Sequence, residues 1–301
     1  MQTHLPAGVA PKRRGPLVFL DYDQEELDYA YRQDVWASNA AEIAKRNAQK
    51  SAAAVARLGP PKRLRYGETE IETLDLYATS RPNAPVHVHI HGGQWRTGRA
   101  ANDAFMAETF VDAGGHFISL DFTNVTETKG DLMPMADQVR RAVAWVYRNA
   151  AQFGGDNGRL YLSGHSSGAH LGGVVVTTAW QQYGMPPTIV RGALLCSGMY
   201  DLHPVSLSAR SSFVTFTPAV IDAFSPQRHL DQLATPLVVA YGTLETPEFQ
   251  RQSRDFVAAV RAAGKPVTLL VGEGYNHFEI RETLGNPYGV LGRAALAQMR
   301  G

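Results

Sequence analysis

The chain has one cysteine, Cys196, in 301 residues. A lone thiol excludes an internal disulfide and a thiolate zinc cluster, and it fits a reducing, cytoplasmic compartment. No apolar run approaches the roughly 18 residues that a membrane helix needs, so no membrane span is expected. Met1 to Gly15 carries basic residues with no apolar stretch behind them, which predicts no signal peptide. An excess of one charge is also missing: Lys+Arg is 29 and Asp+Glu is 28, a net +1 with His neutral. That balance provides no long-range field to draw in nucleic acid or an anionic membrane. There is no internal repeat and no low-complexity segment. The content, 44% hydrophobic and 19% charged, excludes a disordered chain and reads as one domain over 1–301.

Residues 1–16 are rich in Pro, Gly, Lys and Arg and predict a loose tail. Residues 17–58 form a helical lead, because Gln24–Leu58 contains neither Pro nor Gly; a break is expected near Ser38-Asn39 and a stop at Gly59-Pro60-Pro61. Strands are then expected at Arg63–Tyr66, Ile71–Tyr77, Val86–Ile90, His116–Leu120, Leu160–Leu162, Val190–Cys196, Leu237–Tyr241 and Pro266–Val271. Helices alternate with them at Ala104–Ala113, Met133–Gln152, Ser167–Gln182 and Glu248–Ala263, with a last one running to Met299. Strand–helix alternation implies an α/β fold, a mostly parallel sheet of about eight strands flanked by helices. The first two strands suit an antiparallel hairpin at one edge. Residues 200–236, rich in Pro and Ser, read as a small cap over the strand ends.

The strongest chemical signal is Arg159-Leu160-Tyr161-Leu162-Ser163-Gly164-His165-Ser166-Ser167-Gly168. It reads as strand, G-x-S-x-G, then helix: a tight turn that holds the Ser166 hydroxyl out as a nucleophile. Gly164 and Gly168 are needed because side chains there would collide where strand and helix cross. The competing reading is a Gly-rich turn in which a serine merely caps the helix. Attack on a carbonyl also requires N–H donors for the developing oxyanion. One is expected from Ser167, the residue after the nucleophile. The other should come from the Gly-rich loop His91-Gly92-Gly93-Gln94-Trp95, with Gly93 or Gln94 as donor.

A serine nucleophile needs a histidine base and a carboxylate to orient it, in the chain order Ser, acid, His. Glu245 follows the strand 237–241, with Glu248 as the alternative one helical turn later. His277 follows the last strand. His165, His170, His203 and His229 precede the acid and suit the role less well. Cys196 ends an apolar strand and reads as a small buried hydrophobe. His87, His89 and His91 share one face of a strand and invite a metal-site reading. Against it, no neighbouring sequence carboxylate joins them, so packing for His87 and His89, and bracing of the loop by His91, is the preferred reading: no metal and no cofactor. Trp95, Phe213 and His91 are candidates to line the substrate pocket.

These stretches resemble the α/β-hydrolase fold, and more narrowly the kynurenine formamidase (arylformamidase) branch, a relative of the hormone-sensitive-lipase esterases. The resemblance rests on His91-Gly92-Gly93-Gln94-Trp95, Gly164-His165-Ser166-Ser167-Gly168-Ala169-His170-Leu171, Ser197-Gly198-Met199-Tyr200-Asp201-Leu202, Pro247-Glu248-Phe249-Gln250-Arg251-Gln252-Ser253 and Asn276-His277-Phe278. It extends from about Asp28 to the C-terminus. Tyr31–Asn39 is similar to the family's N-terminal lead, which approaches the pocket. Two positions depart from the pattern: Gln94 stands where the family has an aromatic residue, and Ser167 where it has alanine. The resemblance implies a metal-independent serine hydrolase of N-formyl or other short-acyl aryl amines such as N-formylkynurenine, acting through an acyl-enzyme. The alternative is a short-chain carboxylesterase. The acidic Pro-Glu-rich motif of esterase relatives is replaced by Asp121-Phe122-Thr123-Asn124, which favours the formamidase branch. A non-catalytic ligand-binding protein is more remote, because all three triad members are present. Expected partners are a small aromatic amide or ester and, as an option, a second copy of the chain.

Overall fold

The computed structural model describes residues 5–9 and 14–300, so most of the tail expected over 1–16 lies outside the described residues. A short hairpin of β1 (Leu17–Phe19) and β2 (Tyr22–Asp23) leads into α1 (Gln24–Ala30). Asp23 starts that helix through a reciprocal capping box with Glu26. The helical lead breaks at Tyr31, earlier than expected, and resumes as α2 (Ala40–Leu58) after a single 3₁₀ turn at Gln33–Val35. The cause is tertiary. Tyr31 is buried, its hydroxyl donates to Glu248 Oε2 at 2.8 Å, and its carbonyl accepts from Arg210 Nη2 at 2.9 Å. These anchors pull the chain off the helical path that its composition favours. Gly59, at φ +81°, ends α2.

The next segments are β3 (Lys62–Arg65), β4 (Thr73–Tyr77), β5 (Ala84–Ile90), α3 (Ala107–Asp112), β6 (His116–Leu120) and α4 (Met133–Asn149). Then come β7 (Gly155–His165), α5 (Ser167–Val176), β8 (Gly192–Cys196), α6 (Leu202–Leu207), α7 (Pro218–Ala223) and β9 (Leu237–Gly242). The chain finishes with α8 (Pro247–Ala262), β10 (Val267–Gly272), α9 (His277–Glu282) and α10 (Val290–Arg300). Strands β3 to β10 form one eight-stranded sheet in the order β10-β9-β8-β7-β5-β6-β4-β3. Only β3 and β4, at one edge, run antiparallel to their neighbours.

Alternate residues feed opposite faces of the sheet. Val86, Val88, Ile90, Leu162 and Leu195 join one apolar cluster with α4, α5 and α8. Phe117, Tyr161, Leu194 and Cys196 join a second with α3 and α10. Cys196 is thus the buried hydrophobe expected of it. Three helices are shorter than their composition suggests. The one expected from Ala104 is divided between a 3₁₀ segment, Ala100–Met106, and α3. The last one is divided between α9 and α10, around Asn286-Pro287. Helix α5 stops at Val176 rather than near Gln182, at the end of the β-branched run Val174-Val175-Val176.

The crossing of β7 and α5 sets the site. A Cβ on Gly168 would lie 2.1 Å from the Ile90 carbonyl oxygen, and one on Gly164 would lie 2.3 Å from the Gly168 carbonyl oxygen. Both neighbours are backbone atoms and have no rotamer to give. Gly168→Ala is therefore expected to destabilise the fold by about 3 kcal/mol or more, read as a lower midpoint in urea denaturation. A midpoint equal to that of the parent would refute the close crossing.

Candidate active site

Ser166 sits between β7 and α5 at φ +59° and ψ −125°, a conformation that non-glycine residues rarely take. Its N–H is fixed by the Cys196 carbonyl at 2.9 Å, and it begins α5, where N–H groups point outward without helical partners. Ser166, His165 and His277 line the same cavity.

His277 Nδ1 lies 2.7 Å from Glu245 Oε2, and both side chains are buried. The other carboxylate oxygen, Oε1, accepts from Ser197 Oγ at 2.6 Å and from the Gly242 N–H at 2.7 Å. Three donors surround the carboxylate, so its charge is compensated without an arginine or lysine. The bond to Nδ1 leaves Nε2 of His277 as the nitrogen able to take a proton. Glu248, the other carboxylate considered, lies elsewhere: Arg251 holds it in a two-pronged pair at 2.7 Å, and Tyr31 donates to it. His165 flanks His277 with ring centroids 4.4 Å apart, and its Nε2 lies 2.8 Å from the His277 carbonyl oxygen. Burial and the neighbouring imidazole hold His165 well below the usual histidine range, so it is neutral.

The loop after β5 makes three successive residues with positive φ: Gly93 at +121°, Gln94 at +58° and Trp95 at +62°. The N–H groups of Gly93, Gln94 and Ser167 have no partner among the described residues. The Trp95 N–H is occupied, because it donates to Ser167 Oγ at 3.2 Å. The serine that departs from the resemblance at 167 therefore ties the loop to α5. The second departure, Gln94, accepts from Arg96 Nη2 through Oε1 at 3.0 Å.

His87 and His89 share the Ser163 hydroxyl, at 2.7 and 2.8 Å, and His87 stacks on Phe110. His91 stacks on Phe122, and its Nδ1 lies 2.9 Å from the Gly92 carbonyl, bracing the loop while also lining the cavity. Burial lowers the pKa of His87 and His91, and that of His89 to about 4. The sequence reading placed no carboxylate beside these residues, and the fold corrects it. Asp103, remote in sequence, approaches His89 Nε2 at 3.6 Å, but Arg281 pairs with it. Among the described residues, no group of three or more His, Cys, Asp or Glu is placed to hold a metal.

The cavity has a volume of about 990 Å³. Two expected wall residues are not in it. Trp95 is buried in the core, with Nε1 donating to His170 Nδ1 at 3.1 Å, because the positive-φ loop turns its ring inward. Phe213 lies outside, under the Arg96 guanidinium. The cap segment 200–236 contributes Arg210 alone. The opposite wall is one face of α2: Ile43, Asn47, Ser51 and Val55, spaced three and four apart. Composition marked α2 as a helix but not the face it would turn to the site. Ser197 was inside a quoted motif yet unassigned, and Arg210 carried no sequence signal.

The BD-FAE family pattern matches residues 74–189. Kynurenine formamidase from Danio rerio is 35% identical over 226 residues, covering 73% of this chain and 75% of that one. The chain belongs to the kynurenine formamidase family. Beyond that family, esterase LipQ from Mycobacterium tuberculosis is 28% identical over 198 residues, 60% of this chain and 47% of its own. Among solved structures, a Pyrobaculum calidifontis esterase superposes with a TM-score of 0.68 at 18% identity, covering 87% of this chain and 93% of its own. The fold is that of the α/β-hydrolases, and this kynurenine formamidase family member is a hydrolase. No helix among the described residues is long and apolar enough to cross a membrane.

Glu245→Gln is expected to lower kcat by up to roughly 10⁴-fold with the fold retained, since the amide favours the wrong imidazole tautomer. Glu248→Gln should leave kcat within a few-fold and lower the melting temperature, since Arg251 loses its buried counter-charge and one of its two acceptor oxygens. Parallel kinetics and thermal denaturation of the two variants check the assignment.

Proposed function

We propose that this protein hydrolyses N-formyl or other short-acyl aryl amides, compounds of the N-formylkynurenine kind, with Ser166, His277 and Glu245 as its triad. The observation that carries the reading is the 2.7 Å contact between His277 Nδ1 and Glu245, in one cavity with a serine held at φ +59°. Ser166 Oγ attacks the acyl carbon while its proton passes to His277 Nε2. The N–H groups of Gly93, Gln94 and Ser167 receive the negative charge on the carbonyl oxygen. His277 then protonates the amine nitrogen as the C–N bond breaks. Water, deprotonated by the same imidazole, releases the acid from Ser166. Glu245 stays ionised and fixes the tautomer throughout. No step calls on a metal or cofactor.

Support for a short acyl group comes from behind the oxyanion loop. The gap lined by Trp95, Phe122, Met135 and Leu171 has no room even for a water molecule. The cavity of about 990 Å³ is walled on one side by α2, and we place the aryl group there. Family membership supports an amide. The alternative, a short-chain ester, is supported by the esterases among the relatives and structural neighbours. The lone buried Cys196 fits a cytoplasmic setting, and a homodimer belongs to the same proposal, tested by the mass in solution.

A serine-directed phosphonate should label the parent protein and not Ser166→Ala, whose kcat should fall on the order of 10⁶-fold. Across formyl, acetyl, butyryl and octanoyl anilides and matching esters, kcat/KM is expected to fall at least tenfold from the shortest to the longest. A rise toward octanoyl would overturn the short-acyl reading. Better turnover of esters than anilides at equal acyl length would replace the amidase by the esterase.

A further inference from the structure

Arg210 is out of place for a guanidinium. It is only 4% exposed, on a 3₁₀ turn of the cap, and lines the cavity that holds Ser166. Its Nη2 donates to the Tyr31 carbonyl at 2.9 Å, but Nε and Nη1 have no hydrogen-bond partner among the described residues. No carboxylate among the described residues pairs with it. Asp34, an acidic group that acts on it from a distance, is held by Arg32 at 2.9 Å. Instead its guanidinium lies near the faces of Trp95 and Phe249, with Cζ 5.5 and 6.0 Å from the ring centroids. Burial lowers its pKa only to about 10, so it stays protonated at neutral pH.

The rest of the cavity does not compensate that charge. Its lining contains Arg96, Arg210 and Arg281 and no Asp or Glu. Arg281 is neutralised by Asp103, and Arg96 is exposed to water. Arg210 alone is both buried and unpaired. Two amide side chains of the same cavity share its condition: Gln33, at Nε2 and Oε1, and Asn47, at Oδ1, are buried with no partner. Buried polar groups are nearly always satisfied, and an unpaired buried cation costs far more than a neutral group. A set of them around one cavity is the imprint of a ligand that satisfies them.

We propose that Arg210 anchors a carboxylate carried by the substrate, with Gln33 and Asn47 completing the polar end of the site. The inference rests on the reading of Ser166 as the nucleophile of this cavity. It extends that reading from the bond cleaved to the side chain that holds the charged end of the substrate. The anion supplies the acceptors that Nε and Nη1 lack, and Trp95 and Phe249 shield the pair from solvent. A neutral substrate of the same shape leaves the cation as unpaired as it is now, so discrimination comes from the site as well as from the ligand.

The test uses matched substrates: an acylated aniline with a ring carboxylate and the same compound with a primary carboxamide, together with the corresponding pair of phenyl esters. The parent protein should prefer the carboxylate by about 10- to 100-fold in kcat/KM, mainly through KM. In Arg210→Met that ratio should collapse toward one, and in Arg210→Lys it should be intermediate. A parent ratio near one, or an Arg210→Met variant that keeps the parent ratio, overturns the proposal. If the methionine variant does not fold, competitive inhibition of the parent by an aryl carboxylate and not by its carboxamide decides the matter. The two readings separate cleanly. Cleavage of the esters alone, with the carboxylate preference intact, removes the amidase and keeps Arg210 as anchor. Cleavage of both anilides at equal rates does the reverse.

Discussion

The Glu245 carboxylate holds the centre of the molecule together. One oxygen takes the Gly242 N–H at the end of β9 and the Ser197 hydroxyl just past β8, and the other takes His277 at the start of α9. A buried carboxylate without these three donors would cost several kcal/mol. With them it sets the separation of two parallel strands at their C-terminal ends and the loop that delivers the histidine. The Ser166 N–H meets the Cys196 carbonyl one residue before Ser197, so Ser166, Glu245 and His277, the triad we propose, are all referenced to the end of β8. The surrounding helices close the core and keep the strand ends in register.

The parts readable from sequence share a cause: they depend on local geometry. The elbow at Gly164–Gly168 announces itself because only glycine tolerates a neighbouring backbone 2.1 to 2.3 Å from its would-be Cβ. The sheet follows from the alternation of apolar strands with helices, and the order Ser, acid, His follows from the topology. Pattern favoured Glu245, the first carboxylate after the strand, and kept Glu248, one helical turn later, as the alternative. Their partners differ, and the telling ones, His277 for Glu245 and Tyr31 for Glu248, lie on remote elements. Trp95 was misread for a related reason. Its neighbours Gly92 and Gly93 signalled a loop near substrate, but the sign of φ at 95, which turns the ring into the core, is not encoded in the residue type.

The N-terminal lead shows the same limit more fully. Composition makes 24–58 helical, yet the break at Tyr31 is imposed by Glu248 and Arg210, both more than 170 positions away. That contact fixes where α2 starts and hence which of its faces meets the cavity. Arg210 is thus joined to the lead by its contact with the Tyr31 carbonyl, beside the bonds from Gln24 to the Leu207 carbonyl and from the Ala209 N–H to Asp28. The pocket is a composite of the two ends of the chain, closed over strand ends that come from its middle.

The backbone around the site has a consequence for how such a protein can change over evolutionary time. Gln94, Trp95, Ser166 and Ser197 all lie at φ between +57° and +62°, a region that costs L-residues on the order of 1 kcal/mol or more each. Gln94 and Ser166 line the cavity, and Trp95 and Ser197 stand behind it, bonded to Ser167 and Glu245, so a share of the folding free energy is withheld from stability and concentrated around one cavity. A lineage released from selection for catalysis would have an easy route to a more rugged protein: glycine or asparagine at these positions, with the sheet untouched. Loss of activity and gain of robustness would then appear together, and a heat-stable descendant of this fold with an altered 94–95 or 166 position would be suspected of having become a binder.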